Sequence, residues 1–511
     1  MQRDNDSPSP LTFGQYERER LNNLHPPNWR NPTPADRYNL VVIGAGTAGL
    51  VAAHGAAALG AKVALVERDL LGGDCLNVGC VPSKTLIRTS RLYAEMRLAE
   101  QYGARIPSDI RVDFSALMER MRRVRTRISR VDSVQRLIRA GVDVFFGEAC
   151  FTGTDVVTVA NVKLKFKRAL IAAGARAATP PIPGLVEAGY LTNENVFDLT
   201  ELPPRLLVIG GGPLGCEMAQ AFCRLGAKTI IVQDQPLFLP KEERDAAQIL
   251  SGALARDGVE VRLNTTAINV RLEDSHKLVD LVSDDNRNTV AVDAILAGAG
   301  RAPNVEGMGL ETAGVDYDNT LGIKTDDYLQ TSNPRIYAAG DVCLEHKYTH
   351  TADASARIVI RNALFLGRRR LSTLTIPWCT YTDPEIAHVG LYAREALQRD
   401  IPLKTFTVPM HDVDRAIADS EQEGFVKIHV KEGKDQILGA TIVARHAGEM
   451  INEITLAIVA GVGLRTLAEV IHAYPTQADA IRKAADAYNR TRLTPTVRSL
   501  LQRWMTWDAI L

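Results

Sequence analysis

One stretch of this chain occurs twice, and the repeat constrains the fold more than any other feature. Residues 40–67 read LVVIGAGTAGLVAAHGAAALGAKVALVE and residues 206–233 read LLVIGGGPLGCEMAQAFCRLGAKTIIVQ, identical at 12 of 28 positions with a constant offset of 166. Each copy reads as an apolar strand, a glycine turn, a helix, an LGAK stop and a second strand. Unbroken apolar strands of this kind are buried on both faces of a parallel sheet, which points to an α/β chain.

The glycines divide the work of binding a dinucleotide. Gly44 and Gly210 permit the tight turn, Gly46 and Gly212 let a pyrophosphate approach the backbone, and Gly49 and Gly215 let helix and strand pack closely. The helix that follows offers free N–H groups and its positive dipole end to the anion. Each G-x-G-x-x-G follows a strand and opens a helix, so two Rossmann-like domains are expected. The copies part at the end of their second strands. Glu67 stands eighteen residues after Gly49, where a carboxylate can hold a ribose 2′-hydroxyl. Its counterpart is Gln233, followed by Asp234 and by no Lys or Arg before Lys241. A 2′-phosphate finds no cation there, so this second site leans to NADH over NADPH.

Composition removes other classes. A length of 511 residues suits three or four domains. Lys+Arg and Asp+Glu are both 60, and this neutral balance argues against a partner held by charge alone, nucleic acid included. The segment Arg111–Arg139, with nine arginines against three acids, reads as a helix with one solvated face. No apolar run reaches about 18 residues, so no membrane span is expected. Residues 1–37 are polar and proline-rich without an apolar h-region, which reads as a mobile N-terminal extension and not a secretory signal. Residues 496–511 form a tail containing Trp504, Trp507, Ile510 and Leu511. It could lie on a membrane surface, but from Leu500 to Leu511 its nearby cation is Arg503, and packing on the body or on a partner subunit is the favoured reading.

A second motif follows the first repeat. Residues 72–84 read GGDCLNVGCVPSK, placing Cys75 and Cys80 five apart. Five residues of regular helix rise about 7.5 Å, beyond the usual Cα span of a disulfide, so a bridge requires a non-helical stretch. Gly79 supplies the freedom for one. Cys150, Cys216, Cys223, Cys343 and Cys379 are scattered and read as small buried hydrophobes. Cys343, His346 and His350 lie close together but lack a fourth ligand, so no metal site is assigned.

These motifs resemble the class I pyridine nucleotide–disulfide oxidoreductases, a group that includes mercuric reductase and dihydrolipoamide dehydrogenase, over about residues 38–490. The resemblance extends to Gly300-Arg301-Ala302-Pro303-Asn304, to Tyr337-Ala338-Ala339-Gly340-Asp341 and to Thr382-Asp383-Pro384-Glu385. It implies two Rossmann-like FAD and NAD(P) domains plus a C-terminal α+β dimerisation domain. The FAD domain would span 38–185 and 301–370, the NAD(P) domain 186–300 and the dimerisation domain 371–495 of a homodimer. FAD would be held by Gly44, Gly46, Gly49, Glu67, Lys84, Gly174, Arg301 and Asp341. NADH or NADPH would meet Gly210, Gly212, Gly215, Glu217, Gln233 and Gly300. Cys80 would face the flavin, Cys75 would meet the acceptor, and Lys84 would pair with Glu217. A cytoplasmic setting follows, where a disulfide is usually catalytic.

The chain departs from that pattern near its end, in Ile471-His472-Ala473-Tyr474-Pro475-Thr476-Gln477-Ala478-Asp479. Disulfide reductases of the family carry a His directly before Pro-Thr, with an acid five residues later to orient it. Here Tyr474 takes that place, Asp479 is the acid, and His472 lies two residues upstream. A phenol of pKa about 10 is roughly 10³-fold less ionised at pH 7 than a good base requires. General acid–base help is worth about 10²–10⁴ in rate, so lipoamide or glutathione chemistry should suffer. A metal ion or quinone needs that base less, and mercuric reductases resemble this chain in having Tyr near this place. Their C-terminal cysteine pair is not matched, because no cysteine follows Cys379. Metal capture would then rest on Cys75 and Cys80. The expectation is a flavoprotein oxidoreductase passing electrons through Cys75–Cys80 to a metal ion, quinone or disulfide. Dihydrolipoamide dehydrogenase with His472 as base is the alternative, and a flavin-bound electron-transfer or scaffold subunit is the reading of another class.

Overall fold

The two copies of the repeat fold onto one template. In this computed structural model, which describes residues 14–508 apart from 108, 285, 299 and 366, strand Tyr38–Ile43 runs parallel to Val63–Glu67, and Arg205–Ile209 runs parallel to Lys228–Val232. The helices between them are Thr47–Ala58 and Pro213–Arg224. The sequence offset survives in the pairing: Leu40 faces Val63 as Leu206 faces Thr229, and Val42 faces Leu65 as Val208 faces Ile231. Gly44 and Gly210 sit at φ +97° and +103°, a region that L side chains resist. A Cβ on Gly49 would lie 1.8 Å from the Gly44 carbonyl oxygen, and one on Gly215 would lie 2.1 Å from that of Gly210.

Around each copy a separate sheet grows. The first has the order Val142–Phe146, Val63–Glu67, Tyr38–Ile43, Val162–Ile171, Val156–Val159, Ala149–Gly153. Strand Ile336–Ala338 joins it by pairing in parallel with Val162–Ile171, so this domain draws on two distant parts of the chain. Leu40, Val42 and Leu65 fill one face against the alanine-rich helix, and Val41, Ala64 and Phe145 fill the other. The second sheet is parallel, in the order Glu260–Arg262, Lys228–Val232, Arg205–Ile209, Ala294–Ala297. An antiparallel meander over Thr265–Glu273, His276–Ser283 and Asn286–Val292 accompanies it. The third unit is a five-stranded antiparallel sheet, Pro377–Thr380, Glu385–Gly390, Ile437–Ala444, Phe425–Lys431, Leu403–Pro409, backed by helices Ala447–Ala460 and Asp479–Thr491.

Three polar residues on one face of Pro213–Arg224 clamp these units together. Glu217, Gln220 and Arg224 recur at three and four residues, the spacing of a single helix face. Glu217 accepts the Tyr381 N–H at 2.9 Å. Gln220 donates to the Asp383 carbonyl and accepts its N–H, both at 2.8 Å. Arg224 pairs with Asp383 at 2.8 Å and with Asp257 at 2.9 Å.

The N-terminal appendage differs from the sequence expectation, and the C-terminal one does not pack on the described body. Residues 1–13 lie outside the described residues, but helix Gln15–Leu24 is packed, not mobile: Leu24 is fully buried and His25 stacks on Phe146 at 3.8 Å. Its anchors come from the arginine-rich segment. Arg125, buried on helix Phe114–Ser129, pairs with Glu17 at 3.2 Å, and Thr126 donates to the Tyr16 carbonyl at 2.9 Å. That arginine face is therefore partly interior, because carboxylates from Gln15–Leu24 compensate it. At the other end Ile510 and Leu511 lie outside the described residues. Helix Pro495–Asp508 packs on no other element among the described residues: every residue from 490 to 508 is exposed. No described helix is long and apolar enough to cross a membrane.

Candidate active site

The chain between Cys75 and Cys80 is not helical. Helix Gly73–Asn77 stops, Val78 and Gly79 turn, and helix Cys80–Arg97 begins on the second cysteine. Gly79 is required by close approach, since a Cβ there would stand 2.7 Å from the Asp74 carbonyl oxygen. The break brings the two thiols together, and Cys80 accepts a hydrogen bond from Cys75. That bond outweighs the opposing effect of burial. With the Thr349 hydroxyl at 3.3 Å and the Lys84 ammonium nearby, it brings the Cys80 thiol down to about 6. The same bond, then burial, pushes Cys75 up. A thiol at the first turn of a helix also gains from the dipole. Elsewhere burial does the reverse: it raises the thiols of Cys216, Cys223, Cys343 and Cys379. One cysteine is thus prepared as a thiolate, while those four are packing groups.

Lys84 lies one turn along the same helix. Burial alone would favour its neutral amine, but Glu217 at 2.7 Å keeps the ammonium charged. Its Nζ also sits 4.5 Å above the Tyr381 ring. Arg301 pairs with Asp74, lies 3.5 Å from Asp341 and donates to the Ala175 carbonyl at 2.7 Å. Burial raises the Asp341 carboxyl, with Arg301 opposing.

Asp74, Cys75, Cys80, Arg301, Asp341 and Thr349 line one cavity of about 760 Å³, whereas Lys84 and Gly49, both expected to contact FAD, are not on its wall. Gly44, Gly46 and Glu67 of the first repeat and Gly174 also line its wall. The size lies in the range of cavities that take cofactor-sized ligands. Two observations fit FAD. Buried Arg301 Nε makes no hydrogen bond and faces Asp341 Oδ2 at 3.5 Å, and both side chains line the cavity. Gly73 closes over Gly46 so tightly that a Cβ on Gly73 would stand 2.6 Å from the Gly46 Cα. The Glu67 carboxylate accepts the Ala45 N–H at 2.7 Å and the Asp69 N–H at 2.9 Å, which fixes its direction. In the second copy the buried Gln233 Oε1 has no partner, and its Nε2 donates to the Leu237 carbonyl at 3.0 Å. Gly212 is open, and Gly300 at φ +112° likewise has open space around it.

The family model described as pyridine nucleotide-disulphide oxidoreductase matches residues 38–357, and its dimerisation domain matches 376–485. The chain belongs to this oxidoreductase family. Members use FAD and NAD(P)H. Relatives include the mercuric reductase of Staphylococcus aureus, 32% identical over 453 residues, which cover 89% of this chain and 83% of that protein. The dihydrolipoyl dehydrogenase of Chlamydia muridarum is 33% identical over 457 residues, 88% of this chain and 96% of the other. Among solved structures, the HOCl-induced flavoprotein disulfide reductase RclA of Escherichia coli is 27% identical with a TM-score of 0.78, covering 88% of this chain and 99% of that one. Its Cu(II) complex superposes with a TM-score of 0.79 over 89% of this chain and all of the other.

The C-terminal candidates separate in the structure. Tyr474 is exposed and donates to Asp414 Oδ2 at 2.7 Å, a bond that raises the phenol further above its ordinary value. His472 turns away: its Nε2 lies 2.9 Å from Glu453 and its Nδ1 3.1 Å from the Val470 carbonyl, with the side chain nearly buried. Asp479 touches neither, and instead receives Arg482 at 2.9 Å and lies 3.7 Å from Lys483. The expected base-and-acid pairing is replaced by Tyr474–Asp414, sixty residues apart, which no local spacing signals. Sequence reasoning also passed over Thr349 and Tyr381, neither of which belongs to a motif. Arg20 is a third such residue: it donates to the Asn77 side chain inside the redox turn.

Proposed function

We propose that this protein is an NAD(P)H-dependent flavoenzyme that reduces a soft metal ion through the Cys75–Cys80 pair. The observation that carries the reading is the contrast between an acidified Cys80 and a Tyr474 that cannot serve as a base. FAD bound in the cavity would supply the two-electron exchange with the nicotinamide that side chains lack. The chain's own task is to hold charge and protons. Lys84, fixed by Glu217, stabilises the Cys80 thiolate, and Thr349 orients it. When the dithiol closes to a disulfide it releases two electrons, and the remaining Cys75 proton goes to water. One Hg²⁺ would take both electrons, or two Cu²⁺ one each. Thiolates bind such ions directly, so no imidazole is needed at the acceptor. The mercuric reductase relatives and the Cu(II) complex of the Escherichia coli flavoprotein support this choice. We place the enzyme in a reducing cytoplasm as a homodimer, with the exposed Ile471–Tyr474 edge facing the partner's redox pair.

The test is steady-state oxidation of NADH and of NADPH against Hg²⁺, Cu²⁺, a quinone, lipoamide and glutathione disulfide. Metal-ion turnover should fall at least 10³-fold in Cys75→Ser, while reduction of the flavin by NADH stays within about two-fold. Lipoamide turnover exceeding metal turnover, and collapsing in His472→Ala, would overturn the reading in favour of a dihydrolipoamide dehydrogenase.

A further inference from the structure

Helix Pro495–Asp508 is built like a surface anchor. Val497, Leu500, Leu501, Trp504 and Trp507 recur at three and four residues, so they form one stripe along the helix. Met505 borders it. Arg498, Ser499, Gln502, Arg503 and Thr506 lie on the opposite side. All of these apolar groups are exposed among the described residues, from 37% at Val497 to 61% at Trp504 and 65% at Met505. The two indoles meet edge to face at 6.2 Å. A soluble body does not ordinarily hold such a stripe in water.

Charge selects what covers it. From 490 to 508 the exposed chain carries Arg490, Arg492, Arg498 and Arg503 against Asp508 alone, in a protein whose formal net charge is zero. A second copy of the helix would bring the same guanidinium groups and return one carboxylate. The matched dimerisation domain, moreover, ends at residue 485, before the helix begins. An anionic lipid surface complements both faces at once. Headgroup phosphates answer the arginines, and the acyl boundary takes the Val–Leu–Trp stripe to a depth of about 5–10 Å. Tryptophan is the side chain best suited to that boundary.

We propose that Pro495–Asp508 docks the enzyme, without spanning, on the surface of a bilayer containing anionic lipid. The proposal is independent of the identity of the electron acceptor. It is tested by flotation of the FAD-loaded enzyme with vesicles of phosphatidylcholine alone and of phosphatidylcholine mixed with phosphatidylglycerol. More than ten-fold stronger binding to the anionic vesicles is expected, with a blue shift of tryptophan emission. The variant Leu500→Ser/Trp504→Ser/Trp507→Ser should no longer float yet retain wild-type NADH oxidation. Arg498→Gln/Arg503→Gln, which leaves the apolar stripe whole, should weaken binding roughly five-fold per arginine removed. Wild-type enzyme that stays in solution with anionic vesicles would overturn the proposal. So would a triple-serine variant that floats as well as wild type, or one whose sole change is a lower sedimentation mass without lipid, which would mean a second copy covers the stripe.

Discussion

The two nucleotide units share strand register, helix bounds and glycine angles, and they differ in what closes over the turn. In the first, Gly73 and the redox helix cover Gly46, and Glu67 is locked by two backbone N–H groups. In the second, nothing would meet a Cβ on Gly212, and Gln233 keeps an unpaired oxygen. One backbone device thus stands in two settings, closed over in the first unit and open in the second, and the covering residues, not the glycines, make that difference.

The largest effect should come from removing the shared device in one copy at a time. Gly49→Val drives a side chain into the Gly44 carbonyl, and strain of this kind costs several kcal/mol. The purified variant should be colourless, with a Tm lowered by about 5 °C or more. Gly215→Val should stay yellow yet lose at least 100-fold in NADH-driven flavin reduction by stopped flow. If both variants lose flavin, the two units are not separable as described. A middle-sized effect is expected at the strand ends. Gln233→Arg should move the NADPH/NADH ratio of kcat/KM about ten-fold toward NADPH, since a cation answers the 2′-phosphate. An unchanged ratio would remove Gln233 from the ribose site. The smallest change is in pH response. Because the Cys80 pKa is lowered to about 6, its thiolate forms as pH rises through that value and is lost below it. Alkylation of the NADH-reduced enzyme by iodoacetamide should therefore be half-maximal near pH 6, and a midpoint above 8 would contradict the geometry.

The α/β class and the duplicated unit were legible because a glycine turn between apolar strands has few other uses. The same holds for the cysteine break at Gly79. Tyr474–Asp414 and Cys80–Thr349 were not legible, since each joins residues brought together only by packing of separate elements. The segment before residue 37 misled for a different reason. Its prolines and charges look like solvent-exposed chain, yet Glu17 and Arg20 are matched to Arg125 and Asn77, partners that composition cannot reveal. The tryptophans of the terminal helix suggested burial on the body or on a partner subunit, and the described body leaves them bare.

The face formed by Glu217, Gln220 and Arg224 restricts how this machine can move. Glu217 holds the lysine beside the thiolate with one oxygen and the backbone of the antiparallel unit with the other. Rotating the nicotinamide unit as a rigid body would tear both, together with the Gln220 and Arg224 bonds to Asp383. The second unit needs no such rotation to expose its turn, since Gly212 and Gly300 already face open space. A frame held this way keeps Lys84 against Glu217, the contact that favours its ammonium.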